Sequence, residues 1–365
     1  MTAATISFAR GAPSLDIVDI DGLRAAADEA FCTDAGGVTG YGTSIGYPPL
    51  REWIAEQHGI APEQVIVTNG SMQADAFLFE LLVEAGDSVV VERPTYDRTL
   101  LSLRARGADV TAIELEPDGI DTEALASLLR DGLAPKLAHV IPNFQNPAGH
   151  TLSLAKRERL LGLAREHGFL VFEDDPYGAL RFAGETLPTM LALDDGDGAV
   201  VYASSFSKTV CPGIRVGYLA GPAPVIERVR KLATSTYISP SMVSQAIVNA
   251  FCRNGTIERS IDTVRAALEQ RSETLCAALE RWLPAAEFVA PQGGYFLWVK
   301  LPGIDASALL TAAAERGVVI VKGADFMLDG GEDCFRLAYS GVTPEQIDVG
   351  IELLAEAANS LGVPA

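Results

Sequence analysis

The chain has no apolar run approaching the roughly 18 residues of a membrane span, and its opening "MTAATISFARG" holds no signal-peptide core. The expectation is a cytoplasmic protein with no membrane partner. Positive charge is scarce: 28 Lys and Arg against 48 Asp and Glu leave a net charge of −20. A chain of that sign repels polyphosphate backbones, which argues against nucleic acid as a partner. Any anionic ligand must be held by local basic groups and helix N-termini. Cysteine is sparse too. Cys32, Cys211, Cys252, Cys276 and Cys334 are scattered without CxxC spacing, so they read as free thiols rather than disulfides or a thiolate metal site. The four histidines form no HExxH or other ligand spacing, and no metal is expected. His150, after "NPAG", reads as an incidental loop residue. GxGxxG and Walker A loops are also missing, which removes the fingerprints of dinucleotide and nucleoside triphosphate sites.

What is present is apolar material in a regular order. Hydrophobic residues make up 48% of 365, enough for a sizeable core and for two domains or one large unit with an appendage. From about residue 65 to 220, short runs such as "QVIVTNG", "SVVVE", "LAHVIP", "FLVFEDD" and "AVVYASS" alternate with helical patterns. One of these, "SMQADAFLFELLVEAGD", is expected to run to Gly86, and Asp121 is the expected N-cap of "DTEALASLLRDG". Continuous Val/Ile-rich runs between amphipathic helices predict an α/β fold with a mostly parallel central sheet covered by helices on both faces. After Gly221 the pattern changes to long helical stretches, then "GGYFLWVKL", "GVVIVKG" and "CFRLAYS" as strands, then a closing helix. That predicts a smaller α+β domain. The expected division is an N-terminal segment over 1–35 packing with the small domain, a large domain over 36–255, and the small domain over 256–365.

In an open parallel sheet, ligands bind beyond the carboxyl ends of the strands, and those positions are unusually polar here. In "TNGSMQ", Ser71, Met72 and Gln73 fall in the first turn of a helix, where free N–H groups favour a phosphate. Tyr96 in "ERPTY" stands where a ring can stack on a flat heterocycle, and Asn146 in "IPNFQNPAG" sits in a turn facing the same crevice. Asp174 in "FEDDPYG" puts a carboxylate at the end of a buried strand, which calls for a cation, and Tyr177 follows three residues later. In "SSFSKTVCPGIRVGY", Lys208 emerges at a desolvated strand end with Ser205, Ser207 and Arg215 around it. Each feature also occurs as an ordinary turn, rim or cap. Together they call for one ligand with a phosphate, a protonated ring nitrogen beside a phenolic oxygen, and an aldehyde for a lysine. Pyridoxal 5′-phosphate has all of these.

At these motifs the chain resembles the fold-type I, PLP-dependent aminotransferases of class I/II. It is most similar to the branch holding 2-aminoadipate and kynurenine-type aminotransferases and the effector domains of MocR-type regulators. The similarity runs from "ISFARGAPS" through "YGTSIGYPPLREWIA" to "FRLAYS", and is most specific in "IPNFQNPAGHTLS", "FEDDPYGALRF" and "SSFSKTVCPGIRVGYL". It implies that Lys208 forms the Schiff base with the cofactor, Asp174 binds the ring nitrogen, Tyr177 and Asn146 face the ring oxygen, and Tyr96 stacks on the ring. Ser71, Met72, Gln73, Ser205, Ser207 and Arg215 would hold the phosphate. Tyr41, in the "YG" motif, would reach the phosphate of a partner subunit, which implies a homodimer. Arg336 would grip the substrate carboxylate. Two departures stand out: Ser-Met-Gln where the branch often has Ser-Gln-Gln, and a stretch before "ISFARG" too short for a winged-helix domain, which speaks against a regulator.

The resemblance implies an aminotransferase that moves an amino group from an L-amino acid to a 2-oxo acid. A β-lyase, decarboxylase or oxidase would use nearly the same residues. A non-catalytic PLP sensor would have no need of Lys208, Arg336 and Asn146 together. For the substrate side chain, Arg10 is a candidate partner of a second carboxylate, with Tyr237 or Phe326 as candidates for an aromatic or aliphatic pocket.

Overall fold

A computed structural model describes residues 5–362 of the chain. Its centre is an eight-stranded sheet with the spatial order Val65–Thr68, Gly217–Ala220, Val200–Ser205, Leu170–Asp174, Leu137–Val140, Ser88–Arg93, Asp109–Glu116 and Gly119–Ile120. The neighbouring strands from Val200–Ser205 to Asp109–Glu116 are parallel, as their unbroken Val-rich runs predict. Gly217–Ala220 is the exception among the long strands, running antiparallel to both of its neighbours. Each buried Val side chain contributes about 1.5–3 kcal/mol of transfer free energy, and the strands present them on both faces. One face packs Val91, Phe172 and Ala203 against Ala74, Leu78 and Phe79 of the helix Ser71–Leu82. The other packs Val90, Val140 and Val171 against Leu125, Leu160 and Ala164.

Local signals mostly act where expected. Asp121 caps the helix Thr122–Arg130 by accepting from the N–H groups of Glu123 and Ala124. The helix Ser71–Leu82, however, stops four residues short of Gly86: Val83 turns to an extended conformation and is buried, and Gly86, at φ 86°, takes the turn into the next strand. The run "GVVIVKG" is not one strand. Val318–Val319 pairs in parallel with Ile6–Ser7, while Val321–Lys322 joins a different, antiparallel sheet, with buried Ile320 between them.

That second sheet has the order Glu287–Phe288, Phe296–Lys300, Cys334–Ala338, Val321–Lys322. It shares a core with the 27-residue helix Thr256–Trp282 and the closing helix Pro344–Ser360. The N-terminal segment is divided between the two bodies. Ile6, Phe8 and Ile17 enter the core of the smaller sheet, whereas Ala26 and Ala30 of the helix Ile20–Thr33 pack into a cluster with Ala246 and Ala250 of the helix Met242–Arg253. The segment thus passes over the line where the two sheets meet, and Gly11 lies there.

Candidate active site

The strand Val200–Ser205 ends at a turn that lifts Lys208 into the crevice. Its Nζ donates to the carbonyl of Gly11 at 2.5 Å and lies 5.2 Å from the centre of the Tyr295 ring and 5.8 Å from that of Tyr177. Burial, followed by the nearby positive charges of Arg336 and Arg215, pulls its pKa down to about 8. A lysine of that basicity has an accessible neutral amine, the form that attacks carbonyl carbon.

A cradle for an anion stands beside it. Gly70 precedes the helix Ser71–Leu82 at φ 85°, and a Cβ there would meet Arg215 Nη2 at 2.2 Å. A Cβ on Gly217 would lie 2.6 Å from the backbone N of Ser71. Only glycine at both positions lets the arginine, the strand and the helix start converge. Arg215 donates through Nη1 to Ser207 Oγ (3.3 Å) and through Nη2 to the carbonyl of Asn69 (3.1 Å), and the hydroxyls of Ser205 and Ser207 are 2.9 Å apart. A helix N-terminus, two hydroxyls and a guanidinium form an anion site.

On the adjacent strand, Asp174 is 5% exposed and its Oδ1 has no hydrogen-bond partner. Beyond it, Tyr177 is buried edge-on against Phe296, and burial raises its phenol pKa well above the ordinary range. It is therefore a neutral O–H donor. Tyr96 lies across the cavity, with its hydroxyl 3.8 Å from Met72 Sδ, and burial raises its pKa to about 12.

Arg336 enters from the smaller sheet, its guanidinium 4.3 Å from the Phe296 ring centre and 4.7 Å from that of Phe326. Nη1 donates to Asn146 Oδ1 at 2.8 Å and Nη2 to the carbonyl of Ala9 at 2.6 Å, while Nε is buried without a partner. The Asn146 turn is itself braced from below. Glu92 accepts from the Ile141 N–H and from Gln145 Nε2, and Gln145 Oε1 accepts from the Ala148 N–H.

Ser71, Met72, Tyr96, Asn146, Asp174, Tyr177, Ser205, Ser207, Lys208 and Arg215 line one cavity of about 190 Å³. It continues, past Tyr96, Asn146, Tyr177 and Lys208, into a second of about 420 Å³ that holds Arg10, Phe326 and Arg336. Joined, they fall in the range of about 300–1,000 Å³ common to small-molecule sites. Gln73 is not part of it: its Oε1 is turned back to the N–H and side-chain amide of Asn69, and its own N–H bonds the Gly70 carbonyl. Tyr41 is 93% exposed and does not line the cavity of its own chain. Tyr237 lies elsewhere, packed on Phe77 with its hydroxyl on the Ser44 carbonyl. His150 bonds the Glu116 carbonyl, in a separate cavity. Gly11, Tyr295 (whose hydroxyl donates to the Lys208 carbonyl at 3.1 Å) and Phe296 were missed by the sequence reading; only the fold brings them here.

The charge pattern tests what belongs in this space. In a chain of net charge −20, Lys208, Arg215 and Arg336 converge, and among the described residues no carboxylate forms an ion pair with any of them. Asp174, conversely, has a bare oxygen and, among the described residues, only the ring of His139 within ion-pair distance. Buried charges are normally paired, so anions must come to the cations and a cation to the carboxylate. Pyridoxal phosphate with an amino acid supplies a phosphate, a carboxylate and a protonated ring nitrogen, and the residues fit it.

The sequence profile of the family described as "Aminotransferase class I and II" matches residues 5–354. The chain belongs to that family. Aromatic-amino-acid aminotransferase 1 of Thermococcus litoralis is 32% identical to this aminotransferase over 97% of the chain and 88% of its own length. Among solved structures, the α-aminoadipate aminotransferase of Thermus thermophilus, complexed with N-(5′-phosphopyridoxyl)-L-leucine, superposes with a TM-score of 0.93 at 30% identity, over 98% of this chain and 92% of that one. The kynurenine aminotransferase of Pyrococcus horikoshii superposes with a TM-score of 0.94 at 33% identity, over 99% and 92%. The enzyme is a pyridoxal phosphate-dependent aminotransferase of fold type I.

Proposed function

We propose that Lys208, Asp174, Tyr177 and Asn146 carry amino transfer between an L-amino acid and a 2-oxo acid in this cavity, with Arg336 as the carboxylate clamp. The observation that supports this most is the set of uncompensated charges, three cations and one bare carboxylate, converging on a single space. Pyridoxal phosphate, when bound, supplies an aldehyde that takes up the amino group and a ring that accepts electrons. The cradle of Ser71 and Met72 N–H groups, Ser205, Ser207 and Arg215 holds its phosphate; Gln73, being committed to Asn69, serves the cradle only by shaping the turn. Asp174 keeps a proton on the ring nitrogen, Tyr177 and Asn146 donate toward the ring oxygen, and Tyr96 covers one ring face. Arg336 orients the substrate by its α-carboxylate, replacing the bond it makes to Asn146 or sharing it. Lys208 Nζ, as the neutral amine, would take the proton from the substrate α-carbon and pass it to the carbon that the cofactor's aldehyde supplies, so that the proton lost by one carbon is gained by the other.

The reading extends to partners. Tyr41 of the partner subunit would complete the phosphate cradle, so the active form is a homodimer; Tyr41, Leu15 and Ile238 are large apolar or aromatic residues left exposed on one chain. The cysteines are all free, in keeping with a cytoplasmic setting. A large domain over 36–255 and a small domain over 256–365 are proposed along the chain, with the segment 1–35 shared between them, its first part on the small domain and the helix Ile20–Thr33 on the large one. For the donor, Arg10 lines the outer cavity beside Arg336 and would meet the second carboxylate of glutamate or 2-aminoadipate.

The test is a half-reaction. Visible absorbance of the holoenzyme bleaches on adding such an amino acid and returns on adding a 2-oxo acid. If neither happens with any donor in a broad panel, amino transfer by this site is excluded.

A further inference from the structure

Beside Asp174, outside the lining of both cavities, lies a group of polar atoms that amino transfer as described does not use. Asp75 Oδ1, His139 Nδ1 and His139 Nε2 are all buried and all without a hydrogen-bond partner, next to the Asp174 carboxylate whose bare oxygen the site already uses. Buried polar atoms are nearly always bonded, and each one left bare costs about 1–3 kcal/mol, so several in one place call for a reason.

The fold puts them together from three elements. Asp75 lies on the helix Ser71–Leu82, one turn beyond the anion cradle and one turn before Phe79, on the helix face whose Phe79 ring meets His139. His139 lies on the strand Leu137–Val140 and Asp174 at the end of the neighbouring strand, where His139 pairs with Phe172, two residues before Asp174 on the same face. His139 Nε2 is 3.7 Å from Asp174 Oδ2, inside ion-pair range and just beyond a hydrogen bond. Phe172 and Phe79 meet the His139 ring edge-on, with centres at 5.1 and 6.1 Å, and wall the group off from solvent. An apolar residue at 139 or 75 would pack into these surroundings without the desolvation cost. Asp75 is 6% exposed, and burial, then the charge on Asp174, drives its carboxyl well above the usual carboxylate range. Two ionised carboxylates here would repel each other in a medium that screens poorly.

We propose that His139 and Asp75 are positioning residues for Asp174: His139 directs a ring N–H at Asp174 Oδ2, and Asp75 contributes a neutral carboxyl, leaving one negative charge for the cofactor's ring nitrogen. This rests on the reading of Asp174 as the ring-nitrogen partner. The cluster links the helix that starts at the phosphate cradle to the carboxylate at the opposite end of the ring. The other ionisable groups facing Asp174 are Tyr96, Glu92, Asp175, Tyr177 and Lys208. Raising the pH until Asp75 ionises puts a second negative charge beside Asp174 in a closed space, which loosens the carboxylate from its place.

The experiment measures pyridoxal phosphate dissociation and the visible absorbance of the holoenzyme against pH. It compares wild type with His139→Phe, His139→Gln, Asp75→Asn and Asp174→Asn. His139→Phe weakens cofactor binding about tenfold to 100-fold, the size of effect seen when the outer partner of a metal-binding group is removed. His139→Gln, which keeps a donor, recovers part of it. Asp75→Asn abolishes the alkaline loss of cofactor that the wild type shows. Cofactor binding by His139→Phe within twofold of wild type, with an unchanged pH profile, overturns the proposal, as does a wild-type alkaline limb in Asp75→Asn. Full cofactor retention and turnover in Asp174→Asn would instead overturn the underlying reading. Should His139→Phe not fold, 15N-histidine spectra of the wild type decide. The ring signal missing from His139→Gln shifts when pyridoxal phosphate is added, and its failure to shift contradicts the proposal.

Discussion

Arg336 Nη1 donates to Asn146 Oδ1 at 2.8 Å, and this bond joins the smaller sheet to the turn at the mouth of the large one. Its guanidinium is held between Phe296 and Phe326, and its remaining amino group is fixed on the Ala9 carbonyl. One side chain thus ties three segments around the outer cavity. Burial lowers the affinity of that guanidinium for its proton, yet an arginine stays charged at physiological pH.

Arg336→Lys is therefore expected to raise KM for every amino donor and every 2-oxo acceptor together. A lysine cannot reproduce the planar fork, and truncating a buried, hydrogen-bonded charge partner costs about 2–5 kcal/mol. Steady-state kinetics will show the loss in kcat/KM, carried mainly by KM, with cofactor absorbance intact. A variant selective against one donor only would mean that Arg336 binds a side chain instead.

The two glycines of the cradle give a sharper structural prediction. Gly217→Ala places a methyl 2.6 Å from the Ser71 backbone N, and Gly70→Ala places one 2.2 Å from Arg215 Nη2 at a positive φ. Both variants are expected to lose cofactor affinity well before they lose the fold. Equilibrium dialysis of pyridoxal phosphate beside thermal unfolding of the apoenzyme separates the two effects. Undiminished affinity in both would move the phosphate away from this turn.

Lys208 makes the apoenzyme's stability depend on pH in a stated direction. Its pKa falls from an ordinary 10.5 to about 8 in the folded chain, so between those values the unfolded chain binds more protons. Stability then rises with pH across that window, and the destabilisation by a buried ammonium is fully present below about pH 8. Lys208→Met apoenzyme is expected to be more stable than wild type at pH 7, with the gap narrowing as pH rises from 8 to 10. Denaturant titrations at pH 7 and pH 10 read it; a gap that does not narrow would contradict it.

The large sheet and most of the residues that line the cavity were legible for the same reason. A buried parallel strand must be apolar along its length, so the first polar residues after it mark its carboxyl end, and Asp174, Tyr96 and Lys208 all follow such runs. Gln73 does not line the cavity because its side chain turns back onto Asn69 and its N–H closes onto the Gly70 carbonyl, a local arrangement that the first-turn position alone does not reveal. "GVVIVKG" was read as one strand because its apolar content is continuous, whereas its two halves pair in different sheets, a choice made by distant partners. His139 and Asp75 carry a faint signal: each is polar within an otherwise apolar stretch, "LAHVIP" and "ADAFLF". Gly11 and Tyr295 carry none, since their place beside Lys208 depends on how the N-terminal segment crosses the chain.

The central claim is that Lys208 is the amine through which this cavity works. It is tested most directly by recording the visible spectrum of Lys208→Ala protein given excess pyridoxal phosphate, before and after an amino donor, beside the wild type. The wild type shows an absorbance band that bleaches with the donor and returns with a 2-oxo acid. The variant, folded by circular dichroism, is expected to show neither the bound band nor any turnover. A donor-sensitive band with wild-type turnover in Lys208→Ala would contradict the account.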